Sequence, residues 1–256
     1  MSDSFMIKTR KLKKHYGDLV AVGGIDLNVP AGQLFGFLGP NGAGKTTTIK
    51  MLVGMMQPTS GVIEINGIDL RENHAEAKSH VGFIPDRPYI YEKLTGMEFL
   101  HFIGGLYRMA SDDIEDRGNN LLKLFEIDHV SGELVSGYSH GMRQRLIMAS
   151  ALLHRPKVIV VDEPMVGLDP RGAKLVKKIF RQQADAGTTI FMSTHTLNVA
   201  EEICDHIAII NHGIIIAEGS VAQLIDQAGE MKKLEETFLR LTGQESDQDI
   251  SSILEN

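Results

Sequence analysis

The chain has 256 residues, 43% hydrophobic and 23% charged, enough for one large domain or a core with one subdomain of ordinary soluble globular composition. Its formal charge of −7 argues against an extended phosphate-backbone footprint, so nucleic acid is not an expected partner. No stretch approaches the ~20 apolar residues of a membrane-spanning helix, and the single cysteine, Cys204, excludes an internal disulfide and fits a reducing cytosol.

Taken in chain order, residues 5–38 read as strands and turns: Phe5 to Tyr16, Val20 to Val29 around Gly23-Gly24, and Gln33 to Leu38 after a Pro30-Ala31-Gly32 turn. The basic cluster Lys8, Arg10, Lys11, Lys13 and Lys14 reads as the solvated face of an edge strand, with contact to anionic lipid headgroups as the sharper alternative. Tyr16 ends the first strand, either as packing or as a ring able to stack on a nucleobase. Thr46–Gly54 reads as helix, Val62–Ile65 as a strand entering the Asn66-Gly67 turn, and Val81–Pro85 as a strand stopped by proline. From Gly96 to Phe125 the apolar spacing is helical, and residues 87–155 hold no convincing strand, which predicts a mostly helical subdomain set into an α/β core. Strand and helix then alternate: Val158–Val161, Arg171–Ala184, Thr188–Met192, Leu197–Cys204, Ile207–Ile210 and Ile214–Ala217. That rhythm predicts a largely parallel sheet with helices on both faces. A last amphipathic helix is expected over Met231–Leu241, followed by a polar, acidic tail over Gln244–Asn256.

Between the third strand and the first helix lies Gly39-Pro40-Asn41-Gly42-Ala43-Gly44-Lys45-Thr46-Thr47, matching the phosphate-loop pattern G-x-x-x-x-G-K-[ST]. A phosphate chain needs many converging donors, and a tight glycine-rich turn into a helix aims backbone N–H groups at one point. Lys45 adds a movable cation, and the Thr46 hydroxyl is a suitable hard ligand for Mg²⁺. Val158–Val161 delivers Asp162 and Glu163 at its C-terminal end, where α/β sheets hold their ligands. Asp162 can hold Mg²⁺ opposite Thr46, and Glu163 can take a proton from water attacking a γ-phosphate. Ser193-Thr194-His195 ends another strand; His195 reads as a structural hydrogen-bonder or, beside the same crevice, as a γ-phosphate contact. The other histidines have no metal-ligand spacing.

These elements, in this order, resemble the ATP-binding subunit of ABC transporters over residues 5 to about 243. The most discriminating segment is Tyr138-Ser139-His140-Gly141-Met142-Arg143-Gln144-Arg145, which is similar to the family signature L-S-G-G-Q-[RK]-Q-R at Ser139, Gly141, Arg143, Gln144 and Arg145. Ser139 is also a good N-cap for the helix that follows. The resemblance implies a P-loop NTPase (RecA-like) α/β core with a mostly parallel sheet, an antiparallel N-terminal β-subdomain and a helical subdomain at about 87–155, the cassette covering 1–243. It implies that Tyr16 stacks on adenine, that residues 39–47 hold the phosphates, and that Ser139 and Gly141 act in trans on the nucleotide of a facing subunit. It further implies that Gly167-Leu168-Asp169-Pro170 crosses the dimer interface, that Glu163 is the catalytic base and that His195 is the switch histidine. The implied cofactors are ATP and Mg²⁺, and the implied partners a second ATP-binding subunit and an integral membrane permease, holding the chain at the inner face of the cell membrane.

The sequence departs from the pattern in three places. His140 replaces a signature glycine, Met142 replaces the signature glutamine, and Asp86 stands where the family usually has a glutamine. Asp86 is shorter and charged, able to bind Mg²⁺ yet unable to donate a hydrogen bond when ionised. The segment Leu234–Gly243 is similar to the ending of export-type subunits. The expected function is therefore an ATP-hydrolysing motor subunit of an exporter; the competing class is a soluble ABC-type ATPase acting as an assembly or regulatory factor.

Overall fold

A computed structural model describes residues 5–87, 89–227 and 234–242. Strands β1 (Phe5–Tyr16) and β2 (Leu19–Pro30) form an antiparallel hairpin, and β3 (Leu34–Leu38) leads through the glycine-rich loop into α1 (Lys45–Leu52). Next come β4 (Ser60–Ile65), β5 (Ile68–Asp69), α2 (His74–Ser79) and β6 (Val81–Ile84). Three helices, α3 (Gly96–Leu106), α4 (Ser111–Leu124) and α5 (His140–Leu153), then pack on one another before the alternating half begins. That half runs β7 (Val158–Asp162), α6 (Pro170–Asp185), β8 (Thr189–Thr194), α7 (Leu197–Ile203), β9 (His206–Asn211), β10 (Ile214–Gly219), α8 (Val221–Gln227) and α9 (Leu234–Thr242).

Two sheets result. The four-stranded one has order β2-β1-β4-β5 with antiparallel pairing, and the six-stranded one has order β10-β9-β3-β8-β7-β6, parallel except for β9 with β10. The central strands β3, β8 and β7 are buried along their whole length and mostly apolar because both faces are covered, as parallel strands require. On one face Phe35, Phe37, Val158, Val160 and Phe191 pack with Ile7, Leu27 and Ile49; on the other Leu34, Leu38, Ile159, Val161 and Met192 meet the helices. Phe35 stacks on Phe191 with ring centroids 5.6 Å apart. Each such fully buried side chain contributes roughly 1.5–3 kcal/mol relative to exposure, so this layer fixes the strand register on which the site depends.

Several expectations change. The apolar stretch from Gly96 to Phe125 is two helices, because Arg108 adopts φ +57° and the N–H of Met109 turns back to the Gly104 carbonyl at 3.0 Å. A capping box starts the first of them: Thr95 Oγ1 accepts from the Glu98 N–H, and Glu98 Oε2 accepts from the Thr95 N–H. The basic cluster is not on an edge strand, since β1 lies between β2 and β4. There Arg10 pairs with Glu64, and Lys14 Nζ donates to the Gln57 carbonyl at 2.8 Å. Helices α2 and α8 were not expected. In α9, Leu234 and Phe238 are buried while Leu241 is exposed; residues 231–233 of the expected helix and the tail 244–256 lie outside the described residues. Among the described residues, no helix is long and apolar enough to cross a membrane.

Candidate functional site

Sheet register builds the site. β3 pairs with β8 so that Leu38 faces Thr194, and β7 pairs with β8 so that Asp162 faces Ser193. Three adjacent strands therefore end together, and the residues that follow them, the Gly39–Thr47 loop, Glu163 and His195, emerge along one edge. A cleft of about 570 Å³ opens there, within the size range of small-molecule and cofactor sites. Its lining includes Tyr16, Pro40, Asn41, Gly42, Gly44, Lys45, Thr46, Thr47, Asp86, Asp162, Glu163 and His195. Gly39 and Ala43 support the loop from behind: Gly39 offers its carbonyl to Lys45, and Ala43 is buried.

The loop holds its shape through glycine. Gly44 has φ +108°, and an added Cβ would stand 2.5 Å from the Ala21 carbonyl oxygen. Among the described residues, the N–H groups of Gly42, Gly44, Lys45, Thr46 and Thr47 have no hydrogen-bond acceptor. Free donors at a helix start constitute an anion site, reinforced by the helix dipole. Lys45 is only 7% exposed, and its ammonium donates to the carbonyls of Gly39 (2.6 Å) and Pro40 (3.2 Å). Burial lowers its pKa, opposed by the charges of Glu163 and Asp162.

The acids sit differently although adjacent in sequence. Asp162 is 6% exposed and accepts a hydrogen bond from the Ser193 hydroxyl. Glu163 leaves the strand at φ +52°, its N–H donating to the Ser193 carbonyl at 3.2 Å. That left-handed turn carries its carboxylate to His195, whose Nδ1 lies 2.8 Å from Glu163 Oε1. Asp86 is half-buried in the same lining. Among the described residues, no group of three or more His, Cys, Asp or Glu is arranged to hold a metal. A cation beside Thr46 and Asp162 would therefore need phosphate oxygens to complete its shell.

At the far end of the cleft Tyr16 is 46% exposed, and its hydroxyl donates to Met56 Sδ at 3.0 Å. The Lys14 ammonium lies 5.4 Å from its ring centroid. Leu19, Val20, Val166 and His212 also line the cleft and were not foreseen. The one available signal was Leu19-Val20, an apolar pair beside Tyr16 that the structure leaves exposed.

Ser139 caps α5, its Oγ accepting from the Met142 N–H at 3.3 Å. Neither Ser139 nor Gly141 lines the cleft of its own chain. His140 instead abuts the 167–170 loop, because a Cβ on Gly167 would fall 2.4 Å from the His140 ring. Arg143 bonds Glu92 (2.6 Å) and the carbonyls of Tyr138 and Ser136, while Arg145 stands 3.6 Å from both Glu126 and Asp169. The exposed start of α5 and the 167–170 loop thus lie against each other and share one surface.

The family model described as ABC transporter matches residues 22–166, more than half of the chain. The Nod factor export ATP-binding protein I of Cupriavidus metallidurans is 37% identical over 86% of this chain and 73% of its own length. The bacitracin transport ATP-binding protein BcrA of Bacillus licheniformis is 40% identical over 84% and 70%. The daunorubicin/doxorubicin resistance ATP-binding protein DrrA of Streptomyces peucetius is 38% identical over 87% and 68%. A solved structure of an ATP-binding subunit of an ABC transporter superposes with a TM-score of 0.88 at 31% identity, covering 93% of this chain and 99% of the other. On this likeness, the chain belongs to the ABC transporter family, among its ATP-binding subunits.

Proposed function

We propose that the chain is an ATP-hydrolysing motor subunit that drives a separate transmembrane permease in export. The carrying observation is the convergence of the phosphate loop, Asp162 and the Glu163–His195 pair on one cleft. Five unaccepted N–H groups and the Lys45 ammonium fit a phosphate chain there. Residues 39–47 would hold the phosphates and Tyr16 would stack on the base. Thr46 and Asp162, with Asp86, would hold Mg²⁺, which when bound offsets charge on the phosphate oxygens.

Within that arrangement Glu163 accepts the proton of the attacking water, a role supported by its hydrogen bond to His195. His195 holds that carboxylate from its Nδ1 and, as a residue of the cleft lining, would contact the γ-phosphate. Ser139 and Gly141 complete the site of a facing subunit, whether a second copy or another ATP-binding chain. Their separation from their own cleft supports action in trans. We take residues 1–243 as this unit, with a helical subdomain at about 87–155 and a tail at 244–256. The permease would dock near that subdomain and the 86–95 loop, placing the chain on the cytoplasmic face of the membrane. Export is supported by the names of the Nod factor, bacitracin and daunorubicin/doxorubicin relatives. Isolation of the chain from its native cell tests the reading: a stably bound multi-span membrane protein is expected, and a fully soluble complex would refute it.

A further inference from the structure

Three carboxylates, Asp86, Asp162 and Glu163, line the cleft against one ammonium, Lys45, a net charge of −2 with His195 and His212 neutral. The donors of the phosphate loop favour an anion, yet the opposite wall repels one. A nucleotide brings about three or four further negative charges into a partly desolvated space, where each pairwise repulsion is only partly screened. The metal is equally incomplete by itself, since no three-ligand group of His, Cys, Asp or Glu exists among the described residues. Each ligand lacks what the other supplies.

The three acids are not equivalent. Asp162 receives the Ser193 hydroxyl and Glu163 meets His195, so both have a neighbour that spreads their charge. Asp86 has no hydrogen-bond or ion-pair partner among the described residues, although it is half-buried. Its charge is the one left uncompensated in the cleft.

Resting on the reading of this cleft as the nucleotide site, we propose that it takes nucleotide only as the divalent-cation complex, and that Asp86 sets this dependence. Metal and nucleotide enter as one ligand, and free nucleotide is turned away by the Asp86 charge. The experiment is calorimetric titration of ADP, which cannot be turned over, into the full chain with magnesium chloride and with EDTA. Wild type, Asp86→Gln and Asp86→Asn are compared, with thermal melting as a check on folding. In the wild type, ADP with EDTA binds far more weakly than magnesium–ADP. Both variants tighten metal-free binding on the order of tenfold, the effect expected of removing one partly screened charge. Unchanged metal-free affinity in both variants overturns the proposal, as does metal-free ADP binding the wild type as tightly as magnesium–ADP. A change confined to magnesium–ADP overturns it too, because Asp86 would then act only as a ligand. Lys45→Ala separates the two levels: normal magnesium–ADP binding there removes the site itself and the proposal with it.

Discussion

Two alanine substitutions two residues apart in the same loop, at Gly44 and Gly42, should fail in different ways. At Gly44 the backbone is left-handed at φ +108°, and a Cβ would approach the Ala21 carbonyl oxygen to 2.5 Å, with the Ile210 Cδ1 at 3.3 Å. Left-handed backbone costs a non-glycine residue roughly 1–2 kcal/mol, and forcing atoms into a packed position costs roughly 1–3 kcal/mol more. Gly44→Ala should therefore lose about 3–4 kcal/mol, equivalent to a fall in Tm of about 10 °C for a chain of this size. Gly42 is also left-handed, at φ +81°, yet nothing lies within 4 Å of its added Cβ, and the residue lines the cleft. Gly42→Ala should cost only about 1 kcal/mol of stability, or about 3 °C. Its methyl group would instead crowd the phosphate position and weaken nucleotide binding. Thermal melting by circular dichroism and calorimetric titration of ADP with magnesium read the two effects separately. Equal melting temperatures for the two variants, or unimpaired nucleotide affinity in Gly42→Ala, would refute the assignment of the loop's free side to the ligand.

Two further outcomes follow from half-buried polar groups. His154 stacks on Tyr107 with centroids 3.6 Å apart and contacts the Val81 carbonyl at 3.2 Å; burial lowers its pKa from 6.5 to about 4. The fold keeps this ring neutral while the unfolded chain protonates it, so its contribution is intact above pH 6.5 and lost as pH falls towards 4. About 3 kcal/mol should disappear across that window, and His154→Phe should flatten the slope in urea titrations at successive pH values; an unchanged slope would sink the idea. Arg117 donates to the carbonyls of Leu153 (2.7 Å) and Leu152 (2.8 Å), closing the end of α5. Arg117→Met should cost about 2 kcal/mol, seen as a fall in Tm of about 6 °C, and a melt indistinguishable from wild type would refute that capping role.

The legible parts of the sequence were those whose chemistry is local. The phosphate loop announces itself because glycines, Lys45 and Thr46 must lie within one turn, and Ser139 because an N-cap precedes its own helix. The strand ends carrying Asp162 and His195 were readable from their apolar runs. What the pattern could not carry was long-range or conformational. The pairing of β1 with β4 spans some fifty residues, so the basic cluster looked like an edge. Glu163 reaches His195 only through a left-handed turn that no propensity at a glutamate indicates. The break between α3 and α4 falls at Arg108 and Met109, where the apolar spacing continues although the backbone does not. His74–Ser79 is short and polar, with one buried residue, Ala77, leaving no periodic face to detect.

The most direct test of the central claim, that this cleft binds and hydrolyses ATP with Glu163 as base, is phosphate release from magnesium–ATP by wild type, Lys45→Ala and Glu163→Gln, with nucleotide binding measured alongside. Wild type should turn over. Lys45→Ala should lose binding and turnover together, while Glu163→Gln should keep binding and lose turnover by about 10²–10⁴-fold, the range expected for a general base. Wild-type phosphate release from Glu163→Gln would contradict the account.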